Sequence, residues 1–230
     1  MVLDLMDLSS VRNFVENFLK EYSRLDVLVN NAGIMTSPFA LTKDGFESQM
    51  GTNHLGHFAL TGLLLSRILE TPHSRVVNVS SLAHKQWNIS FENSLSEYAH
   101  SYNSMRAYAR SKLANLLFTY ELQRRFESAN SSSLALAAHP GASATNLGRH
   151  LEGSTFAKIV KPTIMRVLPT ALSGALPVLR ASTDENAIGG QYYGPSGFLE
   201  LYGSPVVVKS SRASHNVANA QKLWELSEEL

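Results

Sequence analysis

The chain predicts an α/β fold, a parallel sheet with helices wound over both faces. Three observations carry that prediction. Short runs rich in Val, Leu and Ala at 26–29, 75–80 and 134–138 have the length and composition of strands. Between them lie longer stretches whose apolar residues recur at helical spacing. Each strand-like run stops at small or turn-forming residues, namely Asn30-Asn31-Ala32-Gly33, Ser80-Ser81 and His139-Pro140-Gly141. Strands that alternate with helices of this length pair in parallel, because parallel neighbours need a long crossover.

Taken in order, Val11, Phe14, Val15, Phe18, Leu19 and Tyr22 mark an amphipathic helix with Ser9 as its expected N-cap. It leads into the strand at 26–29. A mostly apolar helix is expected over 44–70, and Pro72 separates it from the strand at 75–80. A long helix over 105–128 precedes the strand at 134–138. Beyond the break at His139-Pro140-Gly141, the pattern predicts an apolar helix near 162–180, a brief strand at 190–193 and a last helix over 214–230. No repeat, charge block or low-complexity linker divides the chain, so one domain over 1–230 is expected.

Composition narrows the function. The 230 residues are 44% hydrophobic and 17% charged, enough to bury one sizeable core. Twenty Lys and Arg against nineteen Asp and Glu leave a formal charge of +1, which provides no field to gather nucleic acid or an anionic membrane. A small-molecule partner is the better expectation, and oligomeric state is left open between monomer and homo-oligomer. The absence of Cys removes thiol nucleophiles and thiolate metal sites, and it fits a reducing, cytoplasmic setting. The most apolar run, 58–65, is far shorter than the roughly 20 residues of a membrane span. His54 and His57 lie three apart, but no further ligand is spaced to join them, so packing is the expected role and no metal is assigned.

The chemistry-bearing residues fall at strand ends, where open α/β sheets bind ligands. Small residues in Asn30-Asn31-Ala32-Gly33 let backbone approach a ligand. Ser81 places a hydroxyl at the next strand end. In Tyr108-Ala109-Arg110-Ser111-Lys112 the i, i+4 spacing puts a phenol and an ammonium on one helix face. A phenol with a pKa near ~10 transfers protons poorly at neutral pH, and a neighbouring ammonium favours its ionised form. Each feature alone has an ordinary reading as a turn or a surface pair.

Together and in order, Asn30-Asn31-Ala32-Gly33, Asn53, Ser81, Tyr108 with Lys112, and Pro140-Gly141 with Thr145 resemble the short-chain dehydrogenase/reductase family. Gly51-Thr52-Asn53-His54-Leu55-Gly56-His57-Phe58, Ser111-Lys112-Leu113-Ala114-Asn115 and Gly189-Gly190-Gln191-Tyr192-Tyr193-Gly194-Pro195 are similar to its branch of retinol-dehydrogenase and WW-domain-oxidoreductase relatives, including bacterial ones. The resemblance implies a Rossmann-type doubly wound sheet, a nicotinamide cofactor (NADP or NAD) and interconversion of an alcohol with a carbonyl. It implies Tyr108 as general acid/base, and Lys112 as the group that lowers the Tyr108 pKa and bonds the nicotinamide ribose. Ser81 is implied as a donor to the developing oxyanion, and Asn53 as the holder of a relay water. Cofactor contacts are implied for Asp4, Leu5, Asn30, Ala32, Gly33, Pro140, Gly141 and Thr145, with Ser143 departing from the Val or Ile usual in the family.

By the same resemblance, Met1-Val2-Leu3-Asp4 corresponds to part of the third strand. Two βα units of roughly 30 residues each, including the glycine-rich pyrophosphate turn, would precede it. The expectation is therefore a fragment or a misassigned start, with the strand at 26–29 left as a sheet edge. The competing expectation is an inactive or regulatory remnant of the family that lacks this cofactor loop. A sugar-nucleotide epimerase would share the Tyr-Lys pair but not Asn-Asn-Ala-Gly.

The substrate is expected to be lipophilic. The interval from Ser81 to Tyr108, 27 positions, is about twice that usual in the family and carries Trp87, Ile89, Phe91, Tyr98 and Tyr102. The segment after Gly141 carries Leu151, Phe156, Ile159, Val160, Ile164, Met165 and Leu168. These side chains either line the pocket or pack their loops onto the domain.

Overall fold

The computed structural model describes residues 1–89, 101–141 and 170–229. Helix α1 (Leu8–Glu21) starts where the Asp7 carboxylate accepts from the backbone N–H groups of Ser9 and Ser10 at 2.9 and 3.3 Å. The N-cap is thus Asp7 and not Ser9, because the helix begins two residues earlier than the apolar stripe suggested. Strand β1 (Val27–Asn30) follows.

The stretch expected as one helix over 44–70 is instead segmented. The Glu47 carboxylate caps α2 (Ser48–Met50), a π-turn occupies Gly51–Leu55, and α3 (Gly56–Leu63) is separated from α4 (Leu65–Glu70) at Leu64, with φ −90° and ψ 0°. Strand β2 (Arg75–Val79) leads to a 3-10 turn at Leu82–Lys85. Next come α5 (Ser104–Ser128), β3 (Leu134–Ala138), α6 (Ala171–Thr183), β4 (Tyr192–Pro195), β5 (Pro205–Val207) and α7 (Val217–Glu228). The start of the helix expected near 162–180 lies outside the described residues. Strand β5 was not foreseen, and the last helix begins three residues late because a 3-10 turn at Arg212–His215 and the Asn216 cap precede it.

The sheet order is β1-β2-β3-β4-β5, parallel through β4, with β5 antiparallel to it. In-register pairs such as Asn30 with Asn78 and Val79 with Ala138 bring the carboxyl ends of β1, β2 and β3 side by side. Alternation along β2 sends Val76 into a core with Val11, Val15, Ile68, Phe118 and Trp224, and Val77 into a second core with Leu136, Ala181 and Tyr193 beneath α6. Both faces are therefore covered by helices, as a parallel sheet requires. Strand β1 is the edge, as expected, with Val27 and Val29 each 38% exposed. Residues 1–4 form no strand, in contrast to the third-strand assignment, since no partner strand adjoins them among the described residues.

Candidate active site

The turns after β1, β2 and β3 and the first part of α5 meet at the carboxyl edge of the sheet. Tyr108 is buried on α5 beside Ala83 and Met35. The Ser81 hydroxyl is set near enough to its phenol to favour the ionised form. One turn along the helix, Lys112 is buried, with Nζ 5.8 Å from the centre of the Tyr108 ring. Its ammonium donates to Val79 O at 3.0 Å, an oxygen that also accepts from Asn115 Nδ2 at 3.0 Å.

Burial shifts both groups. It pushes the Tyr108 pKa above the usual 10.0, against the pull of the Ser81 hydroxyl, and it lowers Lys112 from 10.5 to about 8. Loss of water around the phenol is the larger effect on Tyr108, and the lowering influence on it comes from Ser81. Ser81 also accepts from Ala83 N at 3.2 Å, so the hydroxyl is fixed by starting the 3-10 turn that follows β2.

Asn53 lies in the π-turn, a local widening of the helix that is frequent at functional sites. Its Oδ1 accepts from Ile34 N at 2.9 Å, and its Nδ2 donates to Ile34 O and to Ser111 Oγ, both at 2.9 Å. The side chain therefore clamps the turn after β1 onto α5. Its backbone carbonyl accepts from His57 Nδ1 at 3.0 Å. The close approach demands glycine at 33, where a Cβ would stand 2.8 Å from Asn53 Oδ1 and 3.5 Å from Lys112 Nζ.

The other expected residues divide. Ala32 and Gly33 are exposed at the strand end, whereas Asn30 is buried and its Nδ2 donates to Asn78 Oδ1 at 2.8 Å and Thr61 Oγ1 at 3.0 Å. The Asn30 side chain is thus committed to holding β1 against β2 and α3. Asp4 is exposed, while Leu5 is buried against Gly56, where a Cβ would stand 2.6 Å from Leu5 O. Pro140 and Gly141 are half-buried, and Gly141 has φ +76°, in the region that favours glycine. Thr145 and Ser143 lie outside the described residues, as do Phe91, Tyr98 and Leu151, Phe156, Ile159, Val160, Ile164, Met165 and Leu168. Of the remaining loop residues, Ile89 is buried against Leu113 and Leu117, and Trp87 is 37% exposed. The Tyr102 hydroxyl donates to Glu47 and accepts from Gln49, so that residue serves a polar brace more than an apolar lining. His54 and His57 are buried, and no metal-binding group of three forms among the described residues.

Residues 1–154 match the family model described as short chain dehydrogenase. The chain belongs to that family. It is 44% identical to Retinol dehydrogenase 14 of Mus musculus over 229 residues, 98% of this chain and 65% of the relative. It is 40% identical to Retinol dehydrogenase 12 of Homo sapiens over 230 residues, 99% of this chain and 68% of the relative. The chain thus spans about two thirds of the length of these short-chain dehydrogenases. Among solved structures, an uncharacterized protein from Mycobacterium paratuberculosis shares 46% identity at a TM-score of 0.78, over 99% of this chain and 73% of that one. RhlG of Pseudomonas aeruginosa, solved as an NADP active-site complex, shares the fold at 21% identity and a TM-score of 0.58, over 84% of this chain and 73% of that one. No helix among the described residues is long and apolar enough to cross a membrane.

Proposed function

We propose that the protein carrying this chain is an oxidoreductase that uses NAD or NADP to interconvert an alcohol and a carbonyl on a lipophilic skeleton. The observation that carries this reading is the burial of the Tyr108 phenol and the Lys112 ammonium one turn apart on α5, Nζ 5.8 Å from the ring centre, with the Ser81 hydroxyl set near the phenol. The site fits a nicotinamide cofactor by its donors. Lys112 has three N–H groups and spends one on Val79 O among the described residues, leaving donors for ribose hydroxyls. Gly33 lets backbone come close beside it. When bound, the cofactor supplies or accepts the hydride.

The residues of the chain do the rest. Tyr108 holds the proton at its phenolic oxygen and gives it to a carbonyl oxygen in reduction, or takes the hydroxyl proton in oxidation. Ser81 donates to the oxygen as negative charge grows there, which favours the transition state over the ground state. Asn53 keeps the turn after β1 and Ser111 in register with this pair. The retinol named for the relatives is a lipophilic alcohol, and this supports an apolar substrate here.

Tyr108→Phe keeps the ring and removes the transferable proton, so turnover in the full-length protein is expected to fall by on the order of 100-fold or more. Turnover near that of the unmodified protein overturns the assignment. Matched panels of apolar and polar carbonyls test the substrate class, and a preference for sugars or small hydroxy acids overturns it.

A further inference from the structure

A bridge of charged and polar groups, anchored on the buried His139, links two of the turns that form the site, and none of its members belongs to the residues assigned above. The Glu200 carboxylate accepts from Lys85 Nζ at 2.9 Å through one oxygen and meets His139 Nε2 at 3.0 Å through the other. Lys85 closes the 3-10 turn that Ser81 begins. His139 immediately precedes Pro140 and Gly141 and is fully buried.

The hydrogen bonds fix the state of the imidazole. Gly141 N–H donates to His139 Nδ1 at 3.2 Å, so Nδ1 carries no proton and Nε2–H donates to Glu200. Burial lowers the His139 pKa to about 4, which keeps the ring neutral at physiological pH. The backbone around this bridge is shaped for it. Leu199 and Glu200 have φ of 51° and 59°, a region costly for residues with a side chain. A Cβ on Gly194 would overlap His139 Nε2, and one on Gly141 would stand 2.5 Å from Leu201 O. The segment from Gly194 to Leu201 thus forms a close-fitting floor under the turn after β3.

We propose that Glu200 is a positioning residue, which braces the Ser81 turn through Lys85 and the Pro140-Gly141 turn through His139. The inference rests on the function proposed above, in which those turns face substrate and cofactor. Its physical content is a choice of tautomer. The carboxylate accepts from both donors at once, and this selects His139 Nε2–H and leaves Nδ1 free to receive Gly141 N–H. An amide at 200 offers a single acceptor oxygen, so either Lys85 or the imidazole faces an NH2 group. If the imidazole answers by moving its proton to Nδ1, Gly141 loses its acceptor and the turn shifts.

The test uses the full-length protein and two variants, Glu200→Gln, which is nearly isosteric, and Lys85→Met, which removes one arm and leaves the His139 bond. Imidazole 15N shifts report the tautomer, and steady-state kinetics report KM for the nicotinamide cofactor separately from kcat. The expected result is Nε2–H at His139 in the unmodified protein, a changed His139 signal in Glu200→Gln, and a cofactor KM raised about tenfold with kcat changed much less. In Lys85→Met the His139 signal is expected to stay, with the larger effect on kcat through Ser81. A folded Glu200→Gln protein with unchanged His139 shifts and unchanged KM overturns the proposal. If the unmodified protein shows no cofactor-linked turnover, the proposed function fails, and the 15N readout still decides whether Glu200 sets the tautomer.

Discussion

Lys112 is an ammonium in surroundings that disfavour charge. Lowering its pKa from 10.5 to about 8 by burial corresponds to roughly 3 kcal/mol held against folding while it is protonated. The sign follows from proton uptake. Between pH 8 and 10.5 the unfolded chain keeps a proton that the folded chain has released, so stability rises with pH across that window. Lys112→Met is therefore expected to be as stable as the unmodified protein or more so at pH 7, since Asn115 still satisfies Val79 O. Turnover is expected to collapse. Urea midpoints beside activity decide it, and a strongly destabilised variant would show that the lysine is mainly structural. The Tyr-Lys pair was legible as sequence, because i, i+4 spacing is a local property. The direction of the Tyr108 shift was not, because it depends on how much water the rest of the fold removes.

Helix α5 carries Tyr108 and Lys112 near its start, so its N-terminus positions the chemistry. Asn103 Oδ1 accepts from Arg106 N at 2.9 Å and caps it. Asn103→Ala is expected to cost about 1 kcal/mol in urea unfolding and to lower turnover by loosening the turn below Tyr108. Unchanged stability and activity would mean that the bond from Gln49 Nε2 to Ser104 O holds the helix start by itself. The helix over 44–70 shows the limit of periodicity. Its apolar residues were read as one continuous helix, yet the π-turn at Gly51–Leu55 interrupts it and places Asn53 against Ile34 and Ser111. The bonds that reward this distortion reach residues 19 and 58 positions away, outside any local pattern. Strand β5 was missed for a similar reason, since three residues become a strand only by pairing with β4.

Across the molecule, buried histidines make stability depend on acid. His54 is pushed down to about 3 and His57 and His139 to about 4, in each case chiefly by burial. Their depressed values mean that the unfolded chain takes up protons first as pH falls below about 6.5. Stability is thus full above that value and lost toward pH 4, at about 1.4 kcal/mol per pH unit for each histidine. Urea unfolding at pH 7.5 and 5.5 is expected to show a steep loss, and His54→Gln should make it shallower by about one proton. A flat profile between those two values would refute the account.

The order of strands and helices, the turns that end β1, β2 and β3, and the family motifs were determined by the sequence alone. All of these are carried by neighbouring residues, through periodicity, chain-breaking residues and spacing within one helix. What only the tertiary structure decided is which distant groups meet. Glu200 finds Lys85 and His139 across 115 and 61 positions, and nothing in its local sequence marks it as part of the site. Asn30 stands within a motif that the resemblance assigns to the cofactor, yet its side chain turns into the sheet to meet Asn78, 48 positions on. A hydrogen bond of this kind exists only once the sheet has brought both partners together, and the surrounding burial then sets its strength and the protonation state of each group.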